Sequence, residues 1–95
     1  PHVADNNKHA WFLYPILVNR RDKLRAYLAK HDIGTNVSWP MPIYDQKPYR
    51  KFKKRKCPIS EHVAKHVLCL PMYYTMTNKE MEYVVKHIVD GMKFI

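Results

Sequence analysis

Apolar residues in this chain fall in clusters whose internal spacing changes from one cluster to the next. Trp11 to Val18 (WFLYPILV) is an unbroken apolar run of strand length, rich in aromatic and branched side chains, so both faces of the strand it predicts want cover. Pro15 cannot donate to a ladder, which places that strand at a sheet edge or gives it a bulge. Leu24, Tyr27 and Leu28 then recur at i, i+3 and i+4 and predict a helix over about Arg20 to His31, with Asn19 as its N-cap and Asp22 in the first turn. Asp32 is expected to end it in the left-handed conformation. Gly34 to Trp39 reads as a second strand. Ser60 is expected to cap a short helix to about Val67, and Leu68 to Tyr73 to form a third strand with Pro71 at its end.

The last segment carries the strongest pattern. Thr77 and Glu80 make the T-x-x-E capping box, and Met81, Val84, Val85, Ile88, Val89 and Met92 follow in one stripe, predicting a helix over about Asn78 to Met92. That helix is expected to anchor the fold with Val85 in the core. The order β-α-β-loop-α-β-α predicts an α+β class, a small, mainly antiparallel sheet with helices on one face.

Between the second strand and the short helix, Pro40, Pro42, Pro48 and Pro58 exclude helix and central strand, so a long loop is expected. The charge lies in this loop. Of seventeen basic residues, Lys47, Arg50, Lys51, Lys53, Lys54, Arg55 and Lys56 fall between 47 and 56 without an acid, while the rest of the chain is close to balanced against its eight acids. With Tyr49 and Phe52 interleaved, the loop has the composition of a nucleic-acid footprint, of a contact for the diphosphate of a nucleotide-sugar, or of a solvated face. The solvated face is the commonest state of such a run.

The remaining candidates are thinner. His62 and His66 have the i, i+4 spacing of two metal ligands, but Val63 stands where the acid of an H-E-x-x-H motif belongs, so they read as solvent-facing. Cys57 follows basic residues without a base to activate it. Tyr73 reads as packing, and Trp39 is divided between packing and ligand contact. Cys57 and Cys69 are too few for a disulfide framework and predict reduced thiols in a cytoplasmic protein. No apolar run reaches the roughly 18 residues of a membrane helix, and PHVADNNKH lacks a signal-peptide core. Opening on Pro1, the chain looks cut from something longer: 1–8 reads as a leader or linker from a missing upstream domain, and 9–95 as the domain.

Taken in order, HAWFLYPILV, RRDKLRAYLAKHDIGTNV, SWPMPIYDQKPYRKF and CPISEHVAKHVLCLPMYYTMTNKEMEYVVKHI resemble the C-terminal region of the DegT/StrS family of aminotransferases. That resemblance implies the small C-terminal domain of a fold-type I aminotransferase, following a large domain that holds pyridoxal phosphate on a lysine, in a homodimeric parent that aminates a nucleotide-linked keto-sugar. It implies no catalytic, cofactor-binding or metal-binding residue in this chain, which would be inactive alone and need no cofactor of its own. Ser38 and Trp39 stand where the family commonly has His-Tyr, Ile43 and Tyr44 where it commonly has Leu-His, and Asp32 where it usually has glycine. By that alignment Ser38, Trp39 and Tyr44 are the candidate substrate-binding residues: two hydroxyls for sugar hydroxyls, and an indole for an apolar wall. The second reading is a freestanding basic module that binds nucleic acid through 47–56.

Overall fold

The computed structural model of the chain describes residues 2–53 and 55–95. In it the first apolar run pairs with the third predicted strand. β1 (Tyr14–Leu17) lies antiparallel to β2 (Val67–Leu70), with Tyr14 opposite Leu70, Pro15 opposite Cys69, and Leu17 opposite Val67. On the far side of β2, the Cys69 N–H and C=O both bond to Asn36, at 2.8 and 3.1 Å. Cys69 therefore offers no backbone bond toward β1, and Pro15 has no N–H to lose there. Of the two positions open to Pro15, a sheet edge or a bulge, the sheet shows the edge.

Two expectations need correction in this part of the chain. The strand anticipated over Gly34 to Trp39 is reduced to the single bridge between Asn36 and Cys69. Asn36 donates its side-chain amide to Ser38 Oγ at 3.2 Å, a local bond of the kind that competes with a ladder, and Pro40 follows. Asn19 is not the cap of the first helix. α1 (Arg21–Ala29) is entered through Arg20 in the left-handed region at φ 56°, with no side-chain cap, and the Arg20 carbonyl instead accepts the Lys23 and Leu24 N–H groups. Its other end follows the sequence: Asp32 is left-handed at φ 57°, with Asp32 N–H on the Ala29 carbonyl and Ile33 N–H on the Leu28 carbonyl.

α2 (Pro58–His66) starts two residues before the expected Ser60, with Pro58 in the first turn, where its fixed φ is already helical and its missing N–H costs nothing. Buried Arg21 ties α1 to the end of α2, donating to the Ala64 and Val67 carbonyls at 3.0 Å each. Those carbonyls have no partner within the helix, and a cation suits that pole of its dipole. α3 (Asn78–Phe94) opens on the capping box that the sequence predicts.

The core lies on one face of the two strands. Leu24, Leu28 and Leu68 are fully buried and join Val18, Ile33 and Val84, with Ile16 and Ile88 packed against them. α1 and α3 thus cover the Ile16–Leu68 face. The fold is a small α+β arrangement with a two-stranded antiparallel sheet. The expectation for Val85 fails: its side chain is 58% exposed, and Val84 occupies the core. No helix among the described residues is long and apolar enough to cross a membrane.

Candidate functional site

The other face of the strands is not filled by the core. Alternation along β1 and β2 that sends Ile16 and Leu68 inward sends Pro15, Val67 and Cys69 the opposite way. There they floor an open, largely apolar cleft of about 690 Å³. α2 supplies one wall through Ile59, Ser60, Val63 and Ala64, and the segment leaving the Asn36 bridge supplies the rim through Ser38, Trp39 and Tyr44. Volume and lining suit a small-molecule site, an apolar hollow with a few polar groups at its edge.

All three residues singled out from the sequence therefore border one cavity, in different states. Trp39 is 66% exposed and stands at the mouth. Ser38 is half-buried, accepting from Asn36 and lying 3.7 Å from Cys69 Sγ. Tyr44 is engaged: its hydroxyl donates to Glu61 Oε1 at 2.8 Å and accepts the Cys57 N–H at 3.2 Å. Removal from water, and then the bond to Glu61, raise the Tyr44 phenol above its ordinary value of 10.0, so it stays a neutral donor across the physiological range. Tyr44 thereby fastens the proline loop to the first turn of α2. Glu61 and the role of Pro15, Val67 and Cys69 as floor are parts of this site that sequence reasoning missed, and Cys57, weighed there only as a thiol, takes part through its backbone N–H, since nothing in the spacing signals a contact between residues 44 and 61.

Next to the cleft, the long loop is only partly irregular. It forms two 3-10 turns, Ile43–Asp45 and Lys47–Phe52. Lys53 Nζ pairs with Asp45 at 3.0 Å and lies 4.6 Å from the centre of the Tyr44 ring, while Arg50 Nε donates to the Asp45 carbonyl at 2.9 Å. Lys54 of the basic run, like Pro1 of the leader, lies outside the described residues. The imidazoles of His62 and His66 are 4.2 Å apart, but His66 Nδ1 is 2.7 Å from the His62 carbonyl, and no metal-holding group of three His, Cys, Asp or Glu occurs among the described residues. Tyr73 is about half exposed, so it packs less than expected.

An aldehyde cofactor such as pyridoxal phosphate needs a lysine held in a sheltered pocket beside the ring. Every lysine among the described residues is exposed, and none borders the cleft. These residues do not fit that group, and no step through it is assigned to them.

A model of the DegT/DnrJ/EryC1/StrS aminotransferase family matches residues 1–89. The chain is 34% identical over 88 residues to a dTDP-3-amino-3,6-dideoxy-alpha-D-galactopyranose transaminase of Aneurinibacillus thermoaerophilus, covering 93% of this chain and 24% of that protein. It is 27% identical over 81 residues to a UDP-N-acetyl-3-dehydro-alpha-D-glucosamine 3-aminotransferase of Acidithiobacillus ferrooxidans, covering 85% of this chain and 22% of that protein. The crystal structure of a DegT DnrJ EryC1 StrS aminotransferase from Brucella abortus superposes on it with a TM-score of 0.87 at 25% identity, over 95% of this chain and 25% of that one. The chain thus spans about a quarter of the length of these proteins.

Proposed function

The chain belongs to the DegT/DnrJ/EryC1/StrS aminotransferase family, and from that premise we propose that it is the C-terminal small domain of an enzyme that transfers an amino group to a nucleotide-linked keto-sugar. The observation that carries this is the open apolar cleft bordered by Ser38, Trp39 and Tyr44 in a chain whose described lysines are all exposed. In this reading an upstream large domain, reached through residues 1–8, holds pyridoxal phosphate on its own lysine, and this domain closes the sugar side of the pocket. Trp39 supplies an apolar wall, Ser38 a hydroxyl within reach of the sugar, and Tyr44 positions the rim through Glu61. The uncovered face of the sheet and the exposed outer stripe of α3 suit a domain that packs against more protein, in the parent and across a homodimer. Polar small-molecule chemistry of this kind belongs in the cytoplasm.

The test joins this chain to the upstream three quarters of the Aneurinibacillus relative and supplies an amino donor and a dTDP-linked 3-keto hexose. The chimera is expected to turn over, Trp39→Ala to raise KM for the sugar-nucleotide, and the 95-residue chain to be inert alone. Turnover by the isolated chain would refute the division of labour. A chimera that loads cofactor yet aminates no nucleotide-linked sugar would refute the substrate reading.

A further inference from the structure

The cleft differs in charge from the rest of a basic chain. Among the described residues, no lysine, arginine, histidine or acid lines it. Two cations touch its lining from outside, and both are committed. The Arg21 guanidinium is held by the Ala64 and Val67 carbonyls and by Asp22, and Lys53, 4.6 Å from the centre of the Tyr44 ring, pairs with Asp45. Glu61, bonded to the Tyr44 hydroxyl, sets an acid beside the rim. With that hydroxyl engaged by Glu61 and the Cys57 N–H, the hydroxyls left to a ligand are those of Ser38 and Ser60. Floor and wall, through Pro15, Val67, Ile59 and Val63, present carbon surface.

A hexose is polar nearly all round, and few of its groups gain from carbon surface. One is its C–H face, which an indole such as Trp39 covers; the other, where C6 is deoxygenated, is a methyl. We propose that the cleft discriminates at C6 of the sugar: it takes a 6-deoxy hexose, with the methyl between the α2 wall and the floor, and rejects a hexuronate. The inference deepens the preceding one and rests on its placing of the sugar in this cleft. The two rejections differ in strength. An apolar site turns away an added hydroxyl by at most about a hundredfold, whereas a carboxylate would lose water, meet no cation and lie near Glu61. Val63 is the specificity-determining residue, since it stands on the wall at 37% exposure, with room for a longer side chain to bring a charge into the cleft.

The experiment has two arms. In the first, the 95-residue chain is titrated with methyl D-fucoside, methyl D-galactoside and methyl D-galacturonide, which differ only in carrying a methyl, a hydroxymethyl or a carboxylate at C6, and amide and methyl shifts are followed by NMR. The fucoside is expected to move Ile59, Val63 and Val67 and to bind about tenfold more tightly than the galactoside, while the galacturonide leaves them in place. Val63→Arg, checked for folding by a thermal melt, is expected to reverse the order and favour the galacturonide about tenfold, since a guanidinium pairs with a carboxylate. Ser60→Arg, on the same wall, replaces it if that variant does not fold. A galacturonide bound by the parent chain as tightly as the fucoside overturns the proposal, as does a fucoside that moves no cleft residue or a folded arginine variant with an unchanged order. In the second arm, the chimera with and without Val63→Arg is given a dTDP-linked 3-keto-6-deoxy hexose and the corresponding hexuronate. Because the upstream part is the same in both, a change in the ratio of kcat/KM belongs to this cleft, and it is expected to move about a hundredfold toward the hexuronate. An unmoved ratio in a working chimera overturns the proposal and leaves the aminotransferase reading standing. A chimera that aminates neither sugar, beside a chain that still prefers the fucoside, removes that reading and leaves the C6 preference in place.

Discussion

Gly91 shows how one position can defeat a propensity rule. In an exposed helix, alanine is favoured over glycine by about 1 kcal/mol. A Cβ at Gly91 would stand 2.7 Å from both Leu24 Cδ1 and Tyr27 Cδ1, and Leu24 is fully buried with nowhere to move. Overpacking of this kind costs about 1–3 kcal/mol, so Gly91→Ala should lower the urea midpoint; a raised midpoint would mean that α1 and α3 part easily. Glu80 gives a prediction in pH. The Thr77 N–H donates to its carboxylate at 2.7 Å, and the Thr77 and Tyr73 hydroxyls add to it, holding its pKa below the ordinary 4.5, the backbone bond first among the causes. The unfolded chain therefore takes up that proton at higher pH than the folded one, so the stabilisation is complete above 4.5 and fades as pH falls through the lower folded value. Melts of the parent chain and of Glu80→Gln should differ at neutral pH and converge in acid. Curves that keep their separation at every pH would show the cap charge to be idle.

At the scale of the element, α3 is where pattern and packing part. Its apolar positions span a wide arc, and periodicity alone cannot say which part of a wide arc faces the core. Val84 is 8% exposed, and Gly91 lies against α1, with His87 among Tyr27, His31 and Tyr83. Met81, Val85, Val89 and Met92, a step further round, remain exposed. Val84→Asp should therefore unfold the chain, since an unpaired buried charge costs several kcal/mol against a total of about 5–15. Val85→Asp should change stability by less than about 0.5 kcal/mol, as exposed substitutions do. Paired circular-dichroism melts decide it, and equal losses in both variants would return Val85 to the core. The capping box and the left-handed Asp32, by contrast, were legible in advance because they involve residues within a turn or two of each other.

The whole molecule is looser than its length suggests. Its radius of gyration is 15.8 Å, against about 12 Å for a compact domain of this size, and its buried apolar core is small. Protection against hydrogen exchange should accordingly concentrate in α1, β2 and the α1-facing turns of α3, with residues 2–12 exchanging close to the open-chain rate and the amides bonded within the two 3-10 turns of 40–53 only weakly protected. Slow amides throughout 40–53 would show a loop held by more than Tyr44 and Asp45. The sequence by itself determined the α+β class, the three helices, the restriction of Pro15 to an edge or a bulge, the left-handed Asp32, the family and the location of the charge, because each rests on local spacing, backbone chemistry or the order of motifs along the chain. Only the tertiary structure decided that the middle strand shrinks to the Asn36 bridge, that Val84 and not Val85 is buried, and that Tyr44 meets Glu61 at the rim of a cleft floored by Pro15 and Cys69. Those outcomes depend on which surfaces meet across long stretches of chain, and a one-dimensional pattern of apolar and polar residues holds no record of that choice.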